Sequence, residues 1–167
     1  MVVASTGEME SAEAFTKSCN VYVSRHDAVV LVAAVWNHAG LFAEMVDGVS
    51  RGSQADIDEL GAIITSKLAA CRFEPSFNYR DLKKSDWPAF RASGLKTIRA
   101  FEDGFVRIDV RGENFSTLAW EVSSPPFFNG ARLVSRRSPV GGSGAQGDWL
   151  IEFAQFFIEV ETKTKTA

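Results

Sequence analysis

Histidine and cysteine, which supply most metal ligands and many catalytic groups, are scarce in this sequence. Only two of each occur among its 167 residues. Cys19 and Cys71 lie far apart without a CxxC motif, which argues against both a disulfide framework and a zinc site. Two buried free thiols are therefore expected, as in a protein of the reducing cytosol. His26 and His38 form no HxH or HExxH motif, so we expect neither a metal nor another cofactor.

Long apolar runs and a surplus of basic residues are also missing. The longest apolar run, Ala28–Trp36, is far shorter than the ~20 residues that a membrane-spanning helix needs. No basic region followed by a long apolar run begins the sequence, so we expect no signal peptide. The net charge is −3, whereas proteins that bind nucleic acid usually have a basic surplus. These features predict a soluble cytoplasmic protein that binds neither a membrane nor, directly, nucleic acid.

The middle of the chain predicts an antiparallel meander. Turn signals divide it into three runs, Lys96–Phe101, Phe105–Arg111 and Phe115–Val122, and Asp103-Gly104 between the first two is typical of a hairpin. The second run alternates apolar and charged residues, which indicates one buried and one solvated face. Such a sheet cannot stand alone in water, so other elements must cover its apolar face.

Four further segments predict strands. Cys19–Ser24 alternates, and Ala28–Trp36 is rich in valine and apolar on both sides, as in a central strand covered on both faces. His38–Val49 is ambiguous, although its run LFAEMVD suits a short strand. Ala131–Arg137 follows the meander and suits a strand as well.

Three segments predict helices. Ser53–Arg72 begins at a sequence that resembles a capping box and ends before Pro75. A second, short helix is expected to start at Ser85-Asp86-Trp87-Pro88, with Pro88 near its first turn, and to close at Gly94, because proline is favoured in a first turn and glycine after a last turn. Trp149–Val160 has apolar residues at helical spacing. The first helix is expected to bury Leu60, Ile63, Ile64, Leu68 and Cys71.

These elements predict an α+β fold, with a mostly antiparallel sheet of about five or six strands and two main helices packed on it. The element order is β-β-(β)-α-α-β-β-β-β-α. Residues 1–14 are expected to be a mobile N-terminal segment, residues 15–160 a single domain and residues 161–167 a polar tail. Pro139–Asp148, rich in glycine, is expected to be a flexible loop.

The residues that could be catalytic also have simpler structural explanations. Asp27 beside His26 would orient a general base, but adjacent residues on a strand point to opposite faces, so a polar turn is favoured. A small hydrolase that uses His26 or His38 is kept as an alternative. Another alternative is a ligand-binding module whose pocket is lined by Phe127, Phe128 and Trp149.

A family resemblance follows from the order of residues between Ser53 and Val122. The residues that carry it are Asp58-Glu59-Leu60-Gly61, Leu68-Ala69-Ala70-Cys71-Arg72, Ser85-Asp86-Trp87-Pro88-Ala89-Phe90, Ala92-Ser93-Gly94, Lys96 and Phe101-Glu102. This order resembles the immunity proteins of bacterial contact-dependent growth inhibition systems. The segment Pro125–Gly147 matches nothing in that pattern.

The resemblance implies a small cytoplasmic antitoxin rather than an enzyme. Such a protein binds the C-terminal toxin domain of a contact-dependent inhibition exoprotein, most often a nuclease, and neutralises it without catalytic residues. Acidic groups suit such a task, because they complement a basic active site or the surface beside it. From charge and expected exposure, the candidate partner-binding residues are Asp47, Glu102, Asp103, Asp109 and Glu113.

Overall fold

The protein folds around one antiparallel sheet. The computed structural model describes residues 17–37, 42–114, 117–123, 132–139 and 143–166. The strands are β1 Ser18–Ser24, β2 Ala28–Trp36, β3 Phe42–Ser53, β4 Arg72–Phe73, β5 Phe105–Asn114, β6 Thr117–Ser123 and β7 Arg132–Pro139, and the helices are α1 Ile57–Ala70, α2 Pro88–Ser93, α3 Ile98–Gly104 and α4 Ser143–Thr166. The 3-10 turns Tyr79–Asp81 and Lys84–Asp86 precede α2.

Six strands form a continuous path in the order β3-β2-β1-β5-β6-β7, in which all neighbours are antiparallel. The short strand β4 pairs in parallel with the end of β2, beyond the point where β1 pairs with it. The predicted α+β class and the mostly antiparallel sheet are therefore confirmed. Within the described residues, the sheet has seven strands when β4 is included.

The two faces of the sheet are covered by different elements. On one face, α1 and α4 pack against each other and over the larger core, which includes Val21, Ile108 and Trp120. On the other face, α2 and α3 cover a smaller core around Tyr22 and Phe101. Strand β2 contributes residues to both cores, which explains why its sequence is apolar on both sides.

The first run of the expected meander is helical rather than extended. Residues 98–104 form α3, and the Thr97 hydroxyl accepts a hydrogen bond from the Ala100 N–H at 3.1 Å, as an N-cap does. Ile98 and Phe101, three residues apart, share the face that packs on the smaller core. The predicted hairpin at Asp103-Gly104 is therefore wrong, because these residues end the helix. The pairing of β5 with β6 is confirmed.

Several boundaries also differ from the expected ones. Strand β3 is longer than the short strand expected and ends at Ser53. Helix α1 begins at Ile57, with Asp56 as its N-cap residue and no side-chain cap bond, so the capping box expected at Ser53 is wrong. The Ser53 hydroxyl accepts from the Ala55 N–H, which lies before the helix.

Helix α1 ends at Ala70, well before Pro75. Of its expected buried stripe, Leu60 and Ile64 are buried, Ile63 and Leu68 are half-buried against the larger core, and Cys71 is buried just beyond the helix.

Helix α2 begins at Pro88 rather than at Ser85, since residues 84–86 form a 3-10 turn. The expected place of Pro88 in the first turn and of Gly94 after the last turn is confirmed, with Gly94 left-handed at φ 73°.

The last helix is longer at both ends than its apolar pattern indicates. It begins at Ser143, so residues 143–148 of the expected flexible loop are helical, and it continues through residues 161–166 of the expected tail. The expected mobile segment 1–14 lies outside the described residues. No helix in the described part of the chain is both long enough and apolar enough to cross a bilayer.

Candidate partner interface

Glu44 on β3 is the centre of the main polar network beneath α2. Its Oε1 atom accepts hydrogen bonds from the Tyr22 hydroxyl at 2.5 Å and from Asn20 Nδ2 at 3.0 Å. Its Oε2 atom accepts from the backbone N–H of Ala89 at 3.1 Å. One carboxylate therefore joins β3, β1 and α2. Nothing in the local sequence indicates the role of Glu44, because its partners lie far from it in the chain.

Aromatic rings surround this network and fix the two short helices to the sheet. The rings of Tyr22 and Trp87 meet edge to face with centroids 5.9 Å apart, and Phe101 lies 5.2 Å from Tyr22. Trp87 and Phe101 are themselves perpendicular at 5.1 Å. Such pairs stabilise beyond the area they bury. The residues of the family resemblance in α2 and α3 are thus largely scaffold.

Asp109 is buried, so its predicted exposure is wrong. Its side chain accepts from Arg107 Nε at 2.9 Å, and these side chains are only 10% and 20% exposed. Strand β5 lies between β1 and β6 in the sheet, so Asp109 has Asn20 as its neighbour on one side and Glu121 on the other. These neighbours contribute to its burial. Arg107 and Asp109 extend the polar network across the sheet instead of presenting a solvated face.

The other candidate acids are distributed over three elements. Asp47 is exposed on β3, and α3 brings together the half-buried Glu102 and the exposed Asp103. Asp103 pairs with Arg99 at 3.8 Å, but both side chains are largely exposed, so the pair contributes little to stability. Glu113 belongs to β5, and its side chain lies outside the described residues.

The candidate catalytic residues are not brought together with an acid in the part of the chain that the structure describes. His26 is exposed in the turn after β1, and the Asp27 carboxylate accepts from the Ser53 hydroxyl at 2.9 Å. That bond ties the β1–β2 turn to the end of β3. His38, Phe127 and Phe128 lie outside the described residues. Trp149 packs against the larger core.

Metal-ligating side chains do not converge within the described ranges either. No group of three or more histidine, cysteine, aspartate or glutamate side chains is placed there to hold an ion. Both cysteines are buried free thiols. Burial raises the pKa of Cys19 above its ordinary 9.0 and raises that of Cys71 as well, so both thiols favour the protonated, unreactive form.

Tyr22 makes the stability of the fold sensitive to alkaline pH. Burial raises the pKa of its phenol well above the ordinary 10.0, and the nearby Glu44 adds to this effect, while Arg107 opposes it. The unfolded chain releases this proton near pH 10, whereas the folded chain keeps it. The contribution is therefore complete below pH 10 and is lost as the pH rises above that value.

We expect the free energy of unfolding of the wild type to fall between pH 8 and pH 11, and that of Tyr22→Phe to fall less. At pH 11 we expect the wild type to have lost on the order of 1 kcal/mol more than Tyr22→Phe. Urea unfolding at both pH values measures this difference. Cys19 and Cys71 are present in both proteins, so their effect on the pH dependence of stability cancels in the comparison. Equal losses in the two proteins would contradict the role assigned to Tyr22.

Comparisons with known proteins support the fold. No protein-family model matches the chain, and a search of curated proteins found no match. Among solved structures, the chain is similar to a protein of unknown function from Neisseria meningitidis, with a TM-score of 0.61 and 14% sequence identity. The likeness covers 79% of this chain and 89% of that one. At this identity the likeness shows that the two proteins share a fold.

Proposed function

We propose that this protein is an immunity protein, which binds the toxin domain of a contact-dependent growth inhibition system in the cytoplasm and blocks it. The observation that carries the proposal is the order of residues from Ser53 to Val122, which resembles that family. Its function would be binding alone, with no chemical step. The favoured toxin is a nuclease, because acidic side chains suit a surface that binds nucleic acid.

The positions of the resembling residues support a division of labour within the chain. Leu60, Trp87, Ala89 and Phe101 are buried in the two cores. Buried residues build the scaffold that presents a surface, and exposed residues distinguish one partner from another. The choice of toxin therefore rests with exposed residues such as Asp47 and Asp103, which lie on different elements of the fold.

Co-expression tests the proposal directly. The toxin domain encoded beside this gene is induced in bacteria with this protein, without it, or with the variant Leu31→Asp, which places a carboxylate in the larger core and unfolds the chain. We expect growth only with the wild-type protein. A toxin domain from an unrelated system serves as the specificity control and should kill in all three cultures. Equal killing by the neighbouring toxin with and without the wild-type protein would contradict the proposal.

A further inference from the structure

Strand β3 lies at one edge of the sheet and contains a large bulge. Val32 pairs with Val49, and Ala34 pairs with Glu44. Ala33 alone therefore stands opposite the segment Met45–Gly48, so the edge strand has more residues than its partner at this point. A bulge of this kind bends the strand and directs side chains away from the sheet.

Both ends of the bulge are firmly attached to the fold. Glu44 precedes it and accepts the three hydrogen bonds from Tyr22, Asn20 and Ala89. Met45 is 7% exposed and packs in a small third core. Gly48 is buried, and a Cβ atom there would lie 2.9 Å from the Cβ of Met45. The two residues between these anchors are thus attached to the fold on both sides, which restricts their conformations before any partner binds.

Val46 and Asp47 form the tip of the bulge, between these anchors. The Val46 side chain is 80% exposed, whereas the other exposed large hydrophobic side chains in the described part of the chain are 38% exposed. A bulge and a charge on an edge strand are ordinary protection against aggregation, and they account for Asp47. They do not account for an aliphatic side chain at the tip, because protection is better served by a polar one.

We propose that the Val46–Asp47 tip is the anchor that the protein inserts into its toxin. Val46 fills a small apolar pocket on the toxin domain, and Asp47 meets a basic residue at the rim of that pocket. A toxin that acts on nucleic acid presents the basic surface that the aspartate and the net charge of −3 complement. A tip attached on both sides also loses less entropy on binding than a free loop would. This inference rests on the function proposed above.

Substitution of the tip tests the inference by calorimetric titration. The titrant is the toxin domain encoded beside this gene, inactivated at its own active site. We expect Val46→Ser to weaken binding by about 30-fold or more, as for a central anchor residue. Leu95→Ser is the matched control, since it removes an exposed leucine far from β3 in the sequence, and it should bind like the wild type. Thermal melts should show both variants folded.

Each outcome of the titration has a distinct meaning. Wild-type binding that is lost in Val46→Ser and kept in Leu95→Ser supports the tip as the anchor. If both variants bind like the wild type, the Val46–Asp47 tip is not the anchor, and the proposed function is unaffected. Absence of wild-type binding overturns the proposed function and the inference with it. Analytical ultracentrifugation of the chain alone gives a further test. If the wild type is a dimer and Val46→Ser is a monomer, the tip binds a second copy of the chain, and the assignment to the toxin is wrong.

Discussion

Replacement of Glu44 by alanine should lower the free energy of unfolding by about 3 to 5 kcal/mol. The substitution leaves the Tyr22 hydroxyl, the Asn20 amide and the Ala89 N–H without the carboxylate that accepts from them. Tyr22 and Ala89 are fully buried, so water does not easily replace the lost acceptor. The loss should be visible in urea unfolding near neutral pH.

Two variants separate the role of Glu44 from a general effect of changing β3. Glu44→Gln keeps a carbonyl acceptor at the same reach, so it should be less harmful than Glu44→Ala. Asp47→Ala removes an exposed carboxylate three residues away on the same strand, and should stay within about 0.5 kcal/mol of the wild type. If Glu44→Ala were as mild as Asp47→Ala, the network would not be what attaches α2 to the sheet.

Replacement of Gly147 by alanine should be the most damaging glycine-to-alanine change in the described part of the chain. A Cβ atom at this position of α4 would lie 1.9 Å from the carbonyl oxygen of Ile57, at the start of α1. Backbone cannot move aside as a flexible side chain does, so the two helices must separate. Helix separation would also stretch the 3.0 Å bond from the Thr65 hydroxyl to Gln146 Oε1. We expect a loss of about 3 kcal/mol or more in the free energy of unfolding.

Gly104→Ala is the matched control for this prediction. Gly104 is also a helical residue, at the end of α3, but a Cβ there meets only a side-chain atom of Leu95, at an ordinary distance of 4.0 Å. We expect this variant to be neutral or slightly stabilising in the same urea titration, because alanine restricts the unfolded chain. Equal stability of the two variants would mean that α1 and α4 do not pack as closely as Gly147 indicates.

The strands that could be predicted from sequence are those whose pattern has one physical explanation. Alternation in β5 and an apolar run in β2 follow directly from the burial of one face or of both. Residues 96–101 are predicted as a strand because Asp103-Gly104 resembles a hairpin turn, although the spacing of Ile98 and Phe101 suits one face of a helix. The helix is stabilised by the cap at Thr97 and by the packing of Phe101 on Tyr22. The alternation of apolar and polar residues indicates neither contact.

The features proposed to matter for binding depend on long-range pairing that local sequence does not encode. Glu44 is important because Tyr22 and Ala89 reach it from distant segments. Val46 is exposed because the β2–β3 register leaves a bulge opposite Ala33. Asp109 carries the same charge as Asp103, yet the first is buried beside Arg107 and the second is exposed. Charge could be read from the sequence, whereas accessibility required the fold.

Inhibition of the toxin by the purified protein is the most direct measure of the central claim, that this protein acts by binding a toxin domain. The toxin domain that the proposed function requires is assayed on its own substrate while this chain is added in increasing amounts. We predict that activity falls linearly and reaches zero near one equivalent, as a tight stoichiometric inhibitor requires. Undiminished toxin activity at a large excess of the folded chain would contradict the claim.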